Sequence, residues 1–167
     1  MTSRVLITAA SKYGATKEMA GTIGDVMRGR GLDVDVLSMD EVDSVRHYDA
    51  VIVGSAVYLG RWMTMAREFL DAHERGLLER PVWLFSSGPI ADHGEETQTD
   101  AQELSEQVDA EEHRLFQGSI ARRNLSMAER LLIMSLGVND GDYRDWAQIR
   151  AWADGIAREL VNRPATV

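Results

Sequence analysis

Short apolar, β-branched segments alternate with segments of helical periodicity along this chain, and this alternation constrains the fold more than any other feature. The segments that predict strands are Arg4–Thr8, Val34–Met39, Ala50–Gly54, Val82–Phe85 and Leu115–Ile120. Between them, apolar residues recur at the spacing of a helix face, most clearly from Trp146 to Leu160. The alternation predicts an α/β fold with an open, doubly wound parallel sheet of five strands and helices on both faces.

The size and composition of the chain limit the classes of protein to which it can belong. Its 167 residues are the size of one domain, which we expect to span residues 1–163, with 164–167 as a short tail. The absence of cysteine excludes thiolate zinc sites, iron–sulfur clusters and cysteine nucleophiles. The net charge of −9 argues against a nucleic-acid partner, because such proteins usually carry a basic face. We find no targeting segment and therefore expect a cytoplasmic protein.

Ligands of such sheets bind at the carboxyl ends of the strands, and three predicted loops lie at that edge. They cover residues 9–16, 55–62 and 86–94. In the first loop, Ser11, Gly14 and Thr16 stand between a strand and the start of a helix, where unpaired amides favour an anion such as phosphate. An ordinary helix start with Ser11 or Thr16 as N-cap is the alternative. Neither a Gly-Lys-Ser/Thr motif nor Gly-x-Gly-x-x-Gly follows the first strand.

The second loop can cover a flat ring, whereas the third is short and tight. Residues 55–62 mix small, apolar and aromatic side chains, which can cover a planar ligand. The alternative is that Tyr58 and Trp62 only fill the edge of the core. Ser87-Gly88-Pro89 predicts a tight segment whose small side chains leave the backbone accessible to a ligand; the alternative is a plain turn before a helix.

Three segments of the sequence resemble known families. The segment Ile7–Ala20 resembles the flavodoxin signature, and its matching positions are Ser11, Gly14, Thr16 and Ala20. Asp49–Gly60 and the pair Asp145-Trp146 are similar to the flavodoxin-like menaquinone-dependent protoporphyrinogen dehydrogenases. The resemblance implies a flavodoxin-like fold, FMN as cofactor and no metal.

The resemblance also implies which residues would hold FMN. The phosphate would be held by Ser11, Lys12, Tyr13, Gly14, Ala15 and Thr16. The isoalloxazine ring would lie along Ala56, Val57, Tyr58, Leu59 and Gly60, and its pyrimidine end against Ser87, Gly88 and Pro89. The third loop offers no aromatic residue to stack on the ring. One ring face would then stay open to a substrate, which favours an enzyme over a carrier.

The implied function is that of an FMN-dependent oxidoreductase with a quinone acceptor and protoporphyrinogen IX as one candidate donor. Two alternatives remain open: a non-enzymatic electron carrier, and a flavodoxin-fold binding module without flavin. We assign no catalytic acid or base; His93 is either a proton donor or a solvated loop residue.

Two further segments each allow two interpretations. The apolar segment Leu125–Leu136 is either a peripheral membrane or greasy-substrate contact, or a core or homodimer helix. Nine acidic residues and no Lys or Arg lie between Ala91 and His113. They form either a solvated helix face or a surface that docks a redox protein.

Overall fold

The computed structural model describes residues 2–58, 60–88, 99–120 and 141–163, together with the single positions Met127 and Leu131. Its main elements are five strands of a parallel sheet and the helices that connect them; three further strands have two residues each. The elements are β1 (Arg4–Ala10), α1 (Ala15–Gly29), β2 (Asp33–Leu37), β3 (Ala50–Tyr58), β4 (Arg61–Trp62), α2 (Thr64–Leu78), β5 (Val82–Gly88), α3 (Thr99–Val108), β6 (Glu112–Gln117), β7 (Ser119–Ile120), β8 (Gly141–Asp142) and α4 (Trp146–Asn162).

The main sheet has the strand order β2-β1-β3-β5-β6, and all of these strands are parallel. The short strand β4 folds back antiparallel on the end of β3, and β7 pairs with β8 in a separate two-stranded ribbon. The chain winds to one side of β1 through β2 and to the other side through β3. The switch point, where ligands of such sheets bind, therefore lies between β1 and β3. The predicted five-stranded, doubly wound parallel sheet is confirmed.

The sheet separates two apolar cores. One face packs against α1 and α4, through residues such as Ile7, Met19 and Ile156. The other face packs against α2 and α3, through residues such as Leu6 and Leu70. Because successive side chains of a strand point to opposite faces, the neighbours Leu6 and Ile7 belong to different cores, and both are fully buried. This double coverage explains why the inner strands read as continuous apolar runs.

All five strands of the main sheet differ from the sequence prediction at their ends. β1 continues past Thr8 to Ala10, so the expectation that residues 9 and 10 belong to the first loop is wrong. The second strand stops at Leu37, and Met39 lies instead in a short 3₁₀ turn, where it is buried like a strand residue. The last strand starts at Glu112, three positions earlier than predicted from Leu115. Since β6 is an edge strand, it carries polar side chains that conceal its beginning in the sequence.

The second and third predicted loops are shorter than expected, because β3 and β5 both continue into them. β3 runs on past Gly54 to Tyr58, and β5 runs on to Gly88. The two strands remain paired as far as Ala56 and Ser87, and the last two residues of β3 pair with β4 instead. The expectation that residues 55–58 and 86–88 form loops is therefore wrong.

Candidate functional site

The first loop leads directly from β1 into the N-terminus of α1. Gly14 is the N-cap, with φ of 94° and ψ of −13°, and no side chain caps the helix. The alternative in which Ser11 or Thr16 is the N-cap is therefore wrong. The Ser11 Oγ instead accepts a hydrogen bond from the Gly14 N–H at 2.9 Å, and Thr16 is buried in the first turn.

This helix start has the donors that a phosphate group needs. The Glu18 N–H donates to the Gly14 carbonyl at 3.0 Å and closes the first turn, so the amides before it point out of the helix. A Cβ placed on Gly14 would meet no atom of the described residues within 4 Å. Free amides and the positive end of the helix dipole fit the phosphate of FMN.

A lysine connects this loop to the end of β3. The Lys12 Nζ lies 5.3 Å from the centre of the Tyr13 ring and 5.6 Å from the centre of the Tyr58 ring. Tyr13 is largely exposed, and Tyr58 is half-buried. The structure thus brings the first predicted segment next to the second, as expected from the pairing of β1 with β3.

The second segment forms a hairpin. Ala56 and Val57 are buried residues of β3, and Val57 pairs with Trp62 across the turn. Gly60 has φ of 74° in that turn, a conformation that favours glycine. Trp62 is 2% exposed, so for this residue the interpretation as a core side chain is right. Leu59 lies outside the described residues.

Buried polar contacts hold the hairpin in place. The Trp62 Nε1–H donates to the Ser86 Oγ at 2.8 Å, and that hydroxyl lies 2.6 Å from the His113 Nε2. The Trp62 backbone N–H donates to the Asp100 carboxylate at 2.8 Å, which attaches the hairpin to α3. Burial lowers the pKa of His113, which favours its neutral form. These residues come from four elements, and no local sequence pattern signals their contact.

The third segment is the end of β5. Ser87 is buried, and the Gly88 carbonyl accepts a hydrogen bond from the Gly118 N–H at 2.8 Å. Pro89 and His93 lie outside the described residues. The ends of β1, β3 and β5 therefore meet at one edge of the sheet, with Ala10 paired to Ser55 and the next residue of β3 paired to Ser87.

The segment that contains the apolar run Leu125–Leu136 leaves the end of β6 and returns to it before α4. Its two ends pair as β7 and β8, and the Tyr143 N–H donates to the Gly118 carbonyl at 3.1 Å. Most of the apolar segment Leu125–Leu136 lies outside the described residues; Met127 and Leu131 within it are exposed. Within the part of the chain that the structure describes, no helix is long and apolar enough to cross a membrane.

The comparison with known proteins agrees with this architecture. A model of the flavodoxin domain family matches residues 6–145. Over 178 aligned positions the chain is 22% identical to a protoporphyrinogen IX dehydrogenase (quinone) of Escherichia coli strain K12, covering 96% of this chain and 98% of that relative. It is 30% identical over 122 positions to an NAD(P)H dehydrogenase (quinone) of Nitrobacter winogradskyi, covering 57% of this chain and 61% of the relative.

The solved structure of a flavodoxin from the domain Archaea has the same fold. It matches with a TM-score of 0.64 and 16% identity, covering 95% of this chain and 99% of the other. The resemblance in the first loop is thus part of a similarity that extends over nearly the whole chain. From the family match over residues 6–145 and the β2-β1-β3-β5-β6 sheet, the chain belongs to the flavodoxin domain family.

Proposed function

We propose that this protein is an FMN-dependent oxidoreductase that passes electrons from a reduced organic donor to a quinone. The observation that carries the proposal is the start of α1. There, no described atom lies within 4 Å of a Cβ placed on Gly14, and the Gly14 N–H is held by the Ser11 hydroxyl directly before the first-turn amides of α1. Membership of the flavodoxin domain family indicates a flavin, and a phosphate-binding helix start favours FMN over a flavin without phosphate.

The relatives support an enzyme with a quinone acceptor over a carrier. The relative that aligns over 96% of this chain is named as a protoporphyrinogen IX dehydrogenase that uses quinone, and the relative from Nitrobacter is also named for quinone. Quinone is the element that the two names share, whereas the donors differ. We therefore propose a quinone as the acceptor and a porphyrinogen as the first donor to test.

Each segment at the carboxyl edge of the sheet has a proposed role. The residues from Ser11 to Thr16 would bind the phosphate, residues 56–60 would lie along the ring, and Ser87 to Pro89 would contact its pyrimidine end. The bound cofactor would supply two-electron redox chemistry. Reduction of each quinone to the hydroquinone takes two electrons and two protons from the donor.

The first experiment measures FMN binding and quinone turnover with a matched pair of variants. Thr16→Asp places a charge in the buried first turn of α1, and Thr22→Asp places the same charge on a half-buried position of that helix outside the turn. We expect Thr16→Asp to weaken FMN binding by ~100-fold or more through repulsion of the phosphate, and Thr22→Asp to leave it nearly unchanged. Circular dichroism of both variants checks that they fold.

Turnover then separates an enzyme from a carrier. The wild-type protein, loaded with FMN and reduced anaerobically, is mixed with a soluble naphthoquinone while its visible spectrum is followed. We expect rapid reoxidation and, with protoporphyrinogen IX present, repeated turnover to fluorescent porphyrin. FMN binding without quinone turnover would support the carrier, and failure to bind any flavin would contradict the proposed cofactor.

A further inference from the structure

The largely buried side chain of Arg144 contacts the first turn of α1. Its Nε and Nη2 donate to the two carboxylate oxygens of Asp142 at 2.8 and 2.6 Å. Its Nη1 donates to the Glu18 Oε2 at 2.6 Å and lies 3.4 Å from the Ala15 carbonyl oxygen. The guanidinium also lies 4.6 Å from the centre of the Trp146 ring. The side chain of Arg144 is 10% exposed.

The partners of Arg144 belong to the helix start that faces the proposed phosphate site. Ala15 and Glu18 lie in the first turn of α1, and Glu18 is the acidic residue of that turn. The Glu18 side chain is 64% exposed, so solvent screens part of its charge. An unpaired carboxylate in the same helical turn as these amides would still weaken the binding of a phosphate dianion, because like charges repel. Arg144 is the cation that pairs with this carboxylate, and the bidentate bond to Asp142 fixes the guanidinium in position.

We propose that Arg144 is a positioning residue that neutralises Glu18 and orients the first turn of α1 for the phosphate of the flavin. This role rests on the proposed function. It requires no contact between Arg144 and the phosphate. The proposed role explains why a largely buried arginine side chain connects Asp142 of β8 to the first turn of α1. The sequence gives no sign of it, since Glu18 and Arg144 are 126 positions apart.

The chain contains a matched link at the other end of α1. The Arg30 Nε donates to the Asp154 Oδ1 at 2.6 Å and so ties the end of α1 to α4. Fifteen helical residues separate it from the start of α1. At 1.5 Å per residue this is about 22 Å, more than two Debye lengths at physiological salt. Arg30→Met therefore removes an ion pair of the same helix without changing the charge near the phosphate.

The test compares FMN with riboflavin, which lacks the phosphate. The dissociation constants of both flavins are measured by fluorescence quenching for the wild-type protein, Arg144→Met, Arg144→Lys, Glu18→Gln, Arg144→Met/Glu18→Gln and Arg30→Met. We expect Arg144→Met to weaken FMN binding ~10-fold and riboflavin binding less than about twofold. Glu18→Gln in the same protein should restore part of the lost FMN affinity, since the Asp142 carboxylate stays unpaired. Arg144→Lys keeps the charge but not the bidentate bond and should lose less FMN affinity than Arg144→Met. Arg30→Met should leave both affinities unchanged.

The outcomes distinguish this role from a merely structural one. Equal loss of FMN and riboflavin in Arg144→Met, or no recovery in the double variant, would overturn the inference. If Arg144→Met does not fold, the Glu18→Gln variant tests the inference by itself. We expect its preference for FMN over riboflavin to equal or exceed that of the wild-type protein, and a smaller preference would overturn the inference. A wild-type protein that binds neither flavin would overturn the proposed function itself. An unaltered preference in Arg144→Met would overturn only the role of Arg144.

Discussion

Two glycines at opposite ends of α1 allow the phosphate loop to be tested by the same change at two places. Gly14 is the N-cap of α1, with φ of 94°, and Gly31 follows the end of that helix, with φ of 87°. A Cβ would meet no described atom within 4 Å at either position. Replacing each glycine by alanine therefore adds backbone strain without a steric clash. Only Gly14 lies in the proposed phosphate site.

The cost of each substitution follows from the backbone conformation. A residue with a Cβ loses ~1–2 kcal/mol in the left-handed region, and the reduced entropy of the unfolded chain returns ~0.4–1 kcal/mol. For Gly31→Ala the net loss, about 1 kcal/mol, should appear entirely in the free energy of unfolding. For Gly14→Ala the loop can relax in the apoprotein, and the strain then returns when FMN binds. In that limit the dissociation constant of FMN rises by ~5–30-fold.

Urea unfolding of the apoprotein measures the free energy of unfolding, and fluorescence titration with FMN measures the dissociation constant. We expect Gly31→Ala to lower the unfolding free energy and leave the FMN dissociation constant unchanged. We expect Gly14→Ala to weaken FMN binding, with any remaining strain appearing in the unfolding free energy. The reasoning is refuted if the two variants weaken FMN binding equally, or if Gly14→Ala changes neither quantity.

Two further predictions concern the interior of the sheet. A Cβ at Gly54 would overlap the ring of the fully buried Phe85, so Gly54→Ala should lower the free energy of unfolding by ~2–3 kcal/mol, measured by urea titration. At Gly155, in α4, a Cβ would meet no described atom within 4 Å, so Gly155→Ala should stabilise the protein. Equal effects of the two substitutions would contradict the packing. Burial lowers the pKa of His113 below its usual 6.5, so the unfolded chain binds more protons and stability falls as pH drops below about 6.5. The stability of His113→Gln, which keeps a partner for Ser86, is measured by thermal unfolding. It should depend less on pH as the pH falls below about 6.5, and an unchanged dependence would contradict the assignment.

The fold was predictable because its signal is local. The inner strands β1, β3 and β5 are covered on both faces and therefore contain continuous apolar runs. The amphipathic helices repeat apolar residues along one face. The ends of β3 and β5 were not predictable, because small and polar residues follow Val53 and Phe85 and interrupt the apolar runs. Pairing of β3 with β5 and β4, and of β5 with β6, keeps the last residues of both strands in strand conformation. That pairing depends on neighbours in space, which a sequence window does not contain.

Part of the candidate site was likewise predictable from the sequence, and part was not. The first loop was predictable, because Ser11, Gly14 and Thr16 stand close together in the sequence and each has a local role at a helix start. The contact of Trp62 with Ser86 joins residues 24 positions apart, and the link from Arg144 spans 126 positions. Neither leaves a periodic or local pattern, so only the folded chain reveals it.

The length of β3 changes where the flavin ring would find its hydrogen bonds. A ring with a polar edge needs free backbone amides, and a loop over residues 55–62 would offer several. In the structure, Ala56 and Val57 belong to strand pairs, and much of their backbone hydrogen bonding serves the sheet. Gly60 lies in the hairpin turn with a positive φ, outside the paired part of β3. The proposed contact with the ring edge therefore narrows to that turn, and its position depends on the buried Trp62 that anchors the hairpin.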